Sequence, residues 1–173
     1  DVETSFQIVD GKVDPLPFNP NNCLVSIGVN DEYYFFNHNH ENFDIQSNHK
    51  AVQDILDKTT LLVGHNIKFD LQWLFATGFK YSGAVYDTMV FDYVWARGVK
   101  VPLSLDECCR RHQTTTKKKK GILEKYLQDG MGFDIIPHEI VEEYGIADVQ
   151  STYEVALSQS KQEGKSIEQI AAY

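Results

Sequence analysis

The chain has 173 residues, 42% of them hydrophobic and 24% charged, with a formal net charge of −9. That balance fits one domain with a sizeable core and excludes a disordered chain or a repeat array. No apolar run approaches the ~20 residues that span a bilayer, and the negative charge argues against holding nucleic acid by bulk electrostatics, though not against metal ions brought to a phosphate.

The opening DVETS sets Asp1 and Glu3 two positions apart at what reads as the end of a strand, so both carboxylates project from one face. The chain starts inside this motif, and the N-terminal part of the first strand is expected to be missing. The next passage, FQIVDGKVDPLPFNPNN, holds Asp10-Gly11 and three of the five prolines and predicts loop structure. CLVSIGV and EYYFF are β-prone runs separated by Asn30 and Asp31, which predicts a hairpin and, with DVETS, three antiparallel strands.

From Lys50 the period changes. KAVQDILDK is helical, TLLVGH is a short apolar run typical of a buried strand, and KFDLQWLFATG is helical with Gly78 as its stop. A strand near Ala84 to Tyr86 leads into a helix in TMVFDYVWARG, and LSLDECCRRH follows with Ser104 as N-cap. The last long helix runs from Pro137 to about Gln162. Strands, then alternating helix and strand, then helices predict an α/β domain with a mixed sheet flanked by helices.

Three smaller features read as ordinary structure. NHNHENF, with its HNH at residues 38 to 40, reads as a loop; KKKK at 117 to 120 reads as a solvated loop or a phosphate-backbone contact. Cys108 and Cys109 are adjacent within a helical period and read as packing residues. With Cys23 they make an odd number, which disfavours a disulfide framework and favours a reducing, cytoplasmic setting.

Two further polar pairs stand at helical spacing: Asn66 with Asp70, and Tyr144 with Asp148. Asp1, Glu3, Asp70 and Asp148 then form a set of four carboxylates. Their convergence without cations would cost several kcal/mol in repulsion and desolvation, so such a cluster implies metal. Oxygen ligands alone favour Mg²⁺ or Mn²⁺ over zinc, and a pair of such ions is the standard device for in-line attack on a phosphodiester.

DVETS, GHNIKFDLQWL and YGIADVQST, in this order, resemble the three exonuclease motifs of the DEDD superfamily. Tyr144, four residues before Asp148, matches the tyrosine branch. YDTMVFDYVW, LSLDECCRRH and the tract from Ile136-Pro137 onward are most similar to the proofreading domain of family A DNA polymerases. The resemblance implies an RNase H-like fold with a mixed five-stranded sheet, and residues 1–173 as one 3′-5′ exonuclease domain. It implies two divalent ions, Mg²⁺ or Mn²⁺. Asp1 would bridge them, Glu3 and Asp148 would complete the site of the nucleophile-bearing ion, and Asp70 would hold the second. It further implies that Tyr144 orients the attacking water and that Thr4 and Asn66 position the terminal nucleotide. The expected partners are a single-stranded DNA 3′ end and a linked or associated polymerase domain, with no membrane, for a monomer in a bacterial or phage-infected cell. Phe69 and Trp73 could stack on bases but at helical spacing read as core. Two alternatives are an RNA-trimming exonuclease similar to RNase D and a catalytically silent binding module.

Overall fold

The computed structural model describes residues 1–39, 42–114 and 121–172. The Lys117 to Lys120 stretch and His40 of the HNH letters lie outside the described residues, whereas His38 and Asn39 fall in irregular chain as expected.

Strand β1 (Val2–Thr4) precedes β2 (Gln7–Val9) and β3 (Lys12–Asp14), then β4 (Leu24–Val29) and β5 (Glu32–Phe35). β1, β4 and β5 form one antiparallel ladder in the order β1-β4-β5, as the sequence predicts. The passage expected to be loop is instead a hairpin of β2 and β3. Val9 and Lys12 pair across a two-residue turn in which Asp10 (φ 51°) and Gly11 (φ 74°) take the left-handed conformation that matches strand twist. Its Ile8, Val9 and Val13 face water, so the alternation that normally betrays a strand is absent.

The second half alternates helix and strand. Helix α1 (Ile45–Lys58) leads to β6 (Leu61–Gly64), α2 (Ile67–Ala76), β7 (Ala84–Asp87), α3 (Thr88–Trp95) and α4 (Leu105–His112). Then come α5 (Gly121–Gln128), α6 (His138–Glu163) and α7 (Ile167–Ala171); neither α5 nor α7 was expected. β6 and β7 pair in parallel. Among the described residues the ladders are therefore a three-stranded sheet and two separate pairs, and the expected continuous five-stranded sheet is not formed. β1 is only three residues long, too short to bridge β4 and β6 along their length.

The main core packs Val2, Leu24 and Ile27 from the sheet against Val52, Leu56, Trp73 and Leu74 from α1 and α2. Trp73 is buried, and its indole N–H donates to the Pro15 carbonyl at 3.0 Å; Phe69 packs partly against the same cluster. Both are core, as their spacing predicts. Cys108 is likewise buried against Leu105 and Val155.

Buried Asp92 ties α3 to α4 and α6. It accepts from Arg111 Nη2 (2.6 Å), His112 Nε2 (2.8 Å) and the fully buried Gln159 Nε2 (2.8 Å). Burial alone would push its carboxyl up, but the hydrogen bonds from His112, Arg111 and Gln159 outweigh it and hold the group well below the usual carboxylate range. A depressed folded-state pKa contributes stability that is full above the unfolded value, near pH ~4, and is lost as pH falls through the folded value. Asp92→Asn should therefore cost about 3 kcal/mol at pH 7, with the gap to wild type closing as pH falls below ~4; denaturant melts across pH check this.

Candidate active site

β1 alternates faces as a strand must: Val2 enters the core and Glu3 turns to the opposite side, where α6 lies. Glu3, Asp70 and Asp148 are each no more than 9% exposed. Tyr144 precedes Asp148 by one helical turn and donates its hydroxyl to that carboxylate. Burial first, then the charges of Asp148 and Glu3, push the Tyr144 phenol far above its ordinary value. Glu3, Tyr144 and Asp148 are thus brought together.

Asp70 opens α2 on the other side of β1. Its Oδ1 accepts the Val2 N–H at 2.8 Å and lies 3.8 Å from the Asp1 ammonium, which itself donates to the Gly28 carbonyl at 3.0 Å. Burial raises the Asp70 carboxyl, and the lowering effects of the ammonium and the Val2 N–H do not cancel it. Asp1 itself is exposed.

Asn66 is the N-cap residue of α2 but makes no side-chain cap bond, and it is exposed in the left-handed region (φ 58°, ψ 41°). The N–H groups that open α2 are capped instead by Asp87, which sequence reading missed. Asp87 Oδ1 accepts from Asn66 N (3.0 Å) and Met89 N (2.9 Å), while Oδ2 accepts from Ile67 N (3.0 Å), so one carboxylate caps both α2 and α3. Thr4 follows an irregularity in the β1–β4 register and is buried.

A second tyrosine was also missed. Tyr33 bonds Ser26 Oγ at 2.9 Å, and Ser26 stands opposite Glu3 in the ladder. Burial, then the charge of Glu3, raises its phenol well above the ordinary value, with Asp148 and Glu142 adding to the effect. Room for its ring comes from two glycines: a Cβ on Gly145 would run into the ring, and one on Gly28 would sit 3.0 Å from Cε2. The available signal was Gly145 itself, since a glycine inside a helix costs ~1 kcal/mol and needs a packing reason.

These groups can hold a hard cation: the four acids offer oxygen donors only, and burying carboxylates is costly unless something offsets their charge. Among the described residues no three His, Cys, Asp or Glu side chains are gathered tightly enough to form a metal group. The contacts fall instead into two sets, Glu3 with Tyr144 and Asp148, and Asp70 with the backbone of β1.

The whole is a mixed α/β scaffold whose buried carboxylates come from an edge strand and two helices. The family described as 3′-5′ exonuclease, of the DNA polymerase A type, matches residues 12–162, and the chain belongs to this family of nucleases. Asn66, Asp70, Tyr144 and Asp148 lie within the matched span; Asp1, Glu3 and Thr4 lie ahead of it. Searches of the curated proteins and of the solved structures return no match. Among the described residues no helix is long and apolar enough to cross a membrane.

Proposed function

We propose that residues 1–173 act as one RNase H-like exonuclease domain that hydrolyses the terminal phosphodiester of single-stranded DNA 3′ ends, releasing nucleoside 5′-monophosphates in the service of polymerase proofreading. The observation that carries this reading is the burial of Glu3, Asp70 and Asp148 in a chain of a nuclease family. Asp1, Glu3 and Asp148 would hold one divalent ion, and Asp70, with Asp1 shared between the two, would hold a second. Bound Mg²⁺ or Mn²⁺ supplies Lewis acidity, lowering the pKa of the attacking water and stabilising the leaving oxygen.

The protein's own groups do the positioning. Tyr144 stays protonated at neutral pH because its phenol is raised, so it orients water by hydrogen bonding and does not serve as the base. Tyr144→Phe therefore hurts less than loss of a carboxylate. Asn66 offers an exposed amide to the terminal nucleotide, with Thr4 beside the first acids. Asn66→Gly and Asn66→Ala should both raise KM for DNA several-fold. Only the alanine should also lower stability, by about 1 kcal/mol, since it must adopt the left-handed conformation. An unchanged KM in both variants would remove Asn66 from the substrate site.

The test is a gel assay of matched 5′-labelled DNA and RNA oligonucleotides with Mg²⁺ or Mn²⁺, and with EDTA. DNA shortened stepwise from its 3′ end, and only with metal, is the expected result. Preferential loss of RNA would replace the DNA reading with an RNA-trimming one. Intact DNA and RNA would leave a binding module.

A further inference from the structure

β6 and β7 run in parallel and stop at the same level, with Gly64 paired to Asp87 in the last rung. Each strand then turns straight into a helix, β6 into α2 and β7 into α3, so two helix N-termini emerge at the carboxyl end of the pair. In α/β sheets that is the end where ligands bind. The turn leaving β6 carries two residues of the candidate site: Asn66 and, four positions on, Asp70.

This turn is fastened to the one beside it. The first N–H groups of a helix need a partner, and Asn66, left-handed at φ 58°, gives α2 no side-chain cap. The partner comes from β7: Asp87 Oδ2 accepts the Ile67 N–H and Oδ1 the Asn66 N–H, each at 3.0 Å. The same Oδ1 accepts from α3, at 2.9 Å from Met89 N and 3.3 Å from Val90 N. A second bond joins the same two turns, 2.9 Å between His65 Nδ1 and the hydroxyl of buried Thr88. Capping of its own helix accounts for the bonds from Asp87 to Met89 and Val90, but not for those to Asn66 and Ile67.

We propose that Asp87 is a positioning residue for the exonuclease site. By bridging α3 to α2 it fixes where the chain leaves β6, and so where Asn66 meets the terminal nucleotide and Asp70 the second ion. This inference rests on the proposed function for the roles of those two residues. From Asp70 the tie continues into β1, because its Oδ1 accepts the Val2 N–H at 2.8 Å. One carboxylate on β7 thereby sets the register of both the metal-binding turn and the first strand.

The experiment compares Asp87→Ser and Asp87→Asn with Asp44→Ala as control. Serine still caps α3, but its single, shorter hydroxyl does not also reach α2, so the local cap stays and the bridge goes. Asparagine loses the charge yet keeps an oxygen where Oδ1 stands. Asp44 caps α1 by accepting the Ser47 N–H at 3.0 Å, so its loss lowers stability without touching the two turns. Without metal, the amides of residues 67–70 and of Val2 should exchange about tenfold faster than wild type in Asp87→Ser, measured against those of α6. Asp87→Asn and Asp44→Ala should stay near wild type. Two arms rest on the proposed function: in Asp87→Ser calorimetric Mn²⁺ binding should weaken about tenfold and KM for DNA should rise several-fold, with neither moved in Asp44→Ala. Unchanged exchange in Asp87→Ser would overturn the proposal. So would equal exchange in the serine and asparagine variants, which would assign the effect to lost charge, or faster exchange with Mn²⁺ binding and KM both unmoved. Equal loss of Mn²⁺ binding in Asp44→Ala would overturn it too, since any lost cap would then suffice. A wild-type chain that takes up no Mn²⁺ would count against the proposed function, while faster exchange at Val2 in Asp87→Ser would still support the bridge.

Discussion

Asp70→Asn should lower exonuclease turnover about a hundredfold or more while leaving the metal-free protein as stable as wild type, or more so. The substitution keeps an oxygen in place to accept the Val2 N–H, so the tie between α2 and β1 survives. What it removes is a buried charge. The Asp70 carboxyl is raised in the folded protein, chiefly by burial, which means that ionising it costs folding free energy. Below the unfolded value both states are protonated and wild type and variant should melt alike. As pH rises through the unfolded value toward the raised folded one, wild type loses stability and the variant does not. In EDTA at pH 7.5 the variant should melt about 2–4 °C higher, the equivalent of ~1 kcal/mol. Saturating Mn²⁺ should reverse the order, because a ligand that binds only the folded state stabilises wild type alone. A crossing of the two melting curves with metal is the signature of a ligating carboxylate. A variant less stable in EDTA would make Asp70 a structural anchor for the first strand, and near-wild-type turnover would remove it from the site.

The same residues show what a sequence discloses and what it withholds. Regular elements with a core-facing period were legible: the β4–β5 hairpin, β6, α2 and α3 fall where periodicity and stop signals predict them, and α1 does so apart from its start at Ile45, five residues ahead of Lys50, where Asp44 caps it. The β2–β3 hairpin escaped because its apolar residues face water, although the Asp10-Gly11 turn signal was present. Helix α7 escaped because it is five residues long, yet its capping box, Ser166 with Gln169, was readable. The acids of the candidate site stand out as a pattern of short spacings, but their partners do not. Asp87 looks like an ordinary strand end until its carboxylate is found capping two helices. Tyr33 looks like a strand aromatic until its phenol is found among Glu3 and Asp148. Contacts between residues far apart in the chain leave no local period, and sheet continuity between β1 and β6 depends on length, which periodicity does not measure.

Gly145→Ala puts the most weight on one such hidden contact. By local propensity the change should help, since alanine is favoured over glycine by ~1 kcal/mol in a helix interior. The structure predicts the opposite sign. A Cβ at position 145 would collide with the Tyr33 ring and hydroxyl. On its other side the ring already lies against the Gly28 backbone, where an added Cβ would sit only 3.0 Å from Tyr33 Cε2. Either Tyr33 leaves its place, giving up the bond to Ser26, or α6 lifts away from the sheet and carries Tyr144 and Asp148 with it. Overpacking of this kind costs about 1–3 kcal/mol, so the variant should melt about 2–12 °C lower. On the proposed function, turnover should fall tenfold or more, because displacements of an ångström at a reacting centre cost that much or more. Tyr33→Leu frees the space, so the double variant with Gly145→Ala should recover stability relative to Gly145→Ala alone, giving a favourable coupling that a double-mutant cycle reads directly. If Gly145→Ala instead raises the melting temperature, helix propensity has won, and the fit of Tyr33 against α6 does not constrain the positions of Glu3 and Asp148.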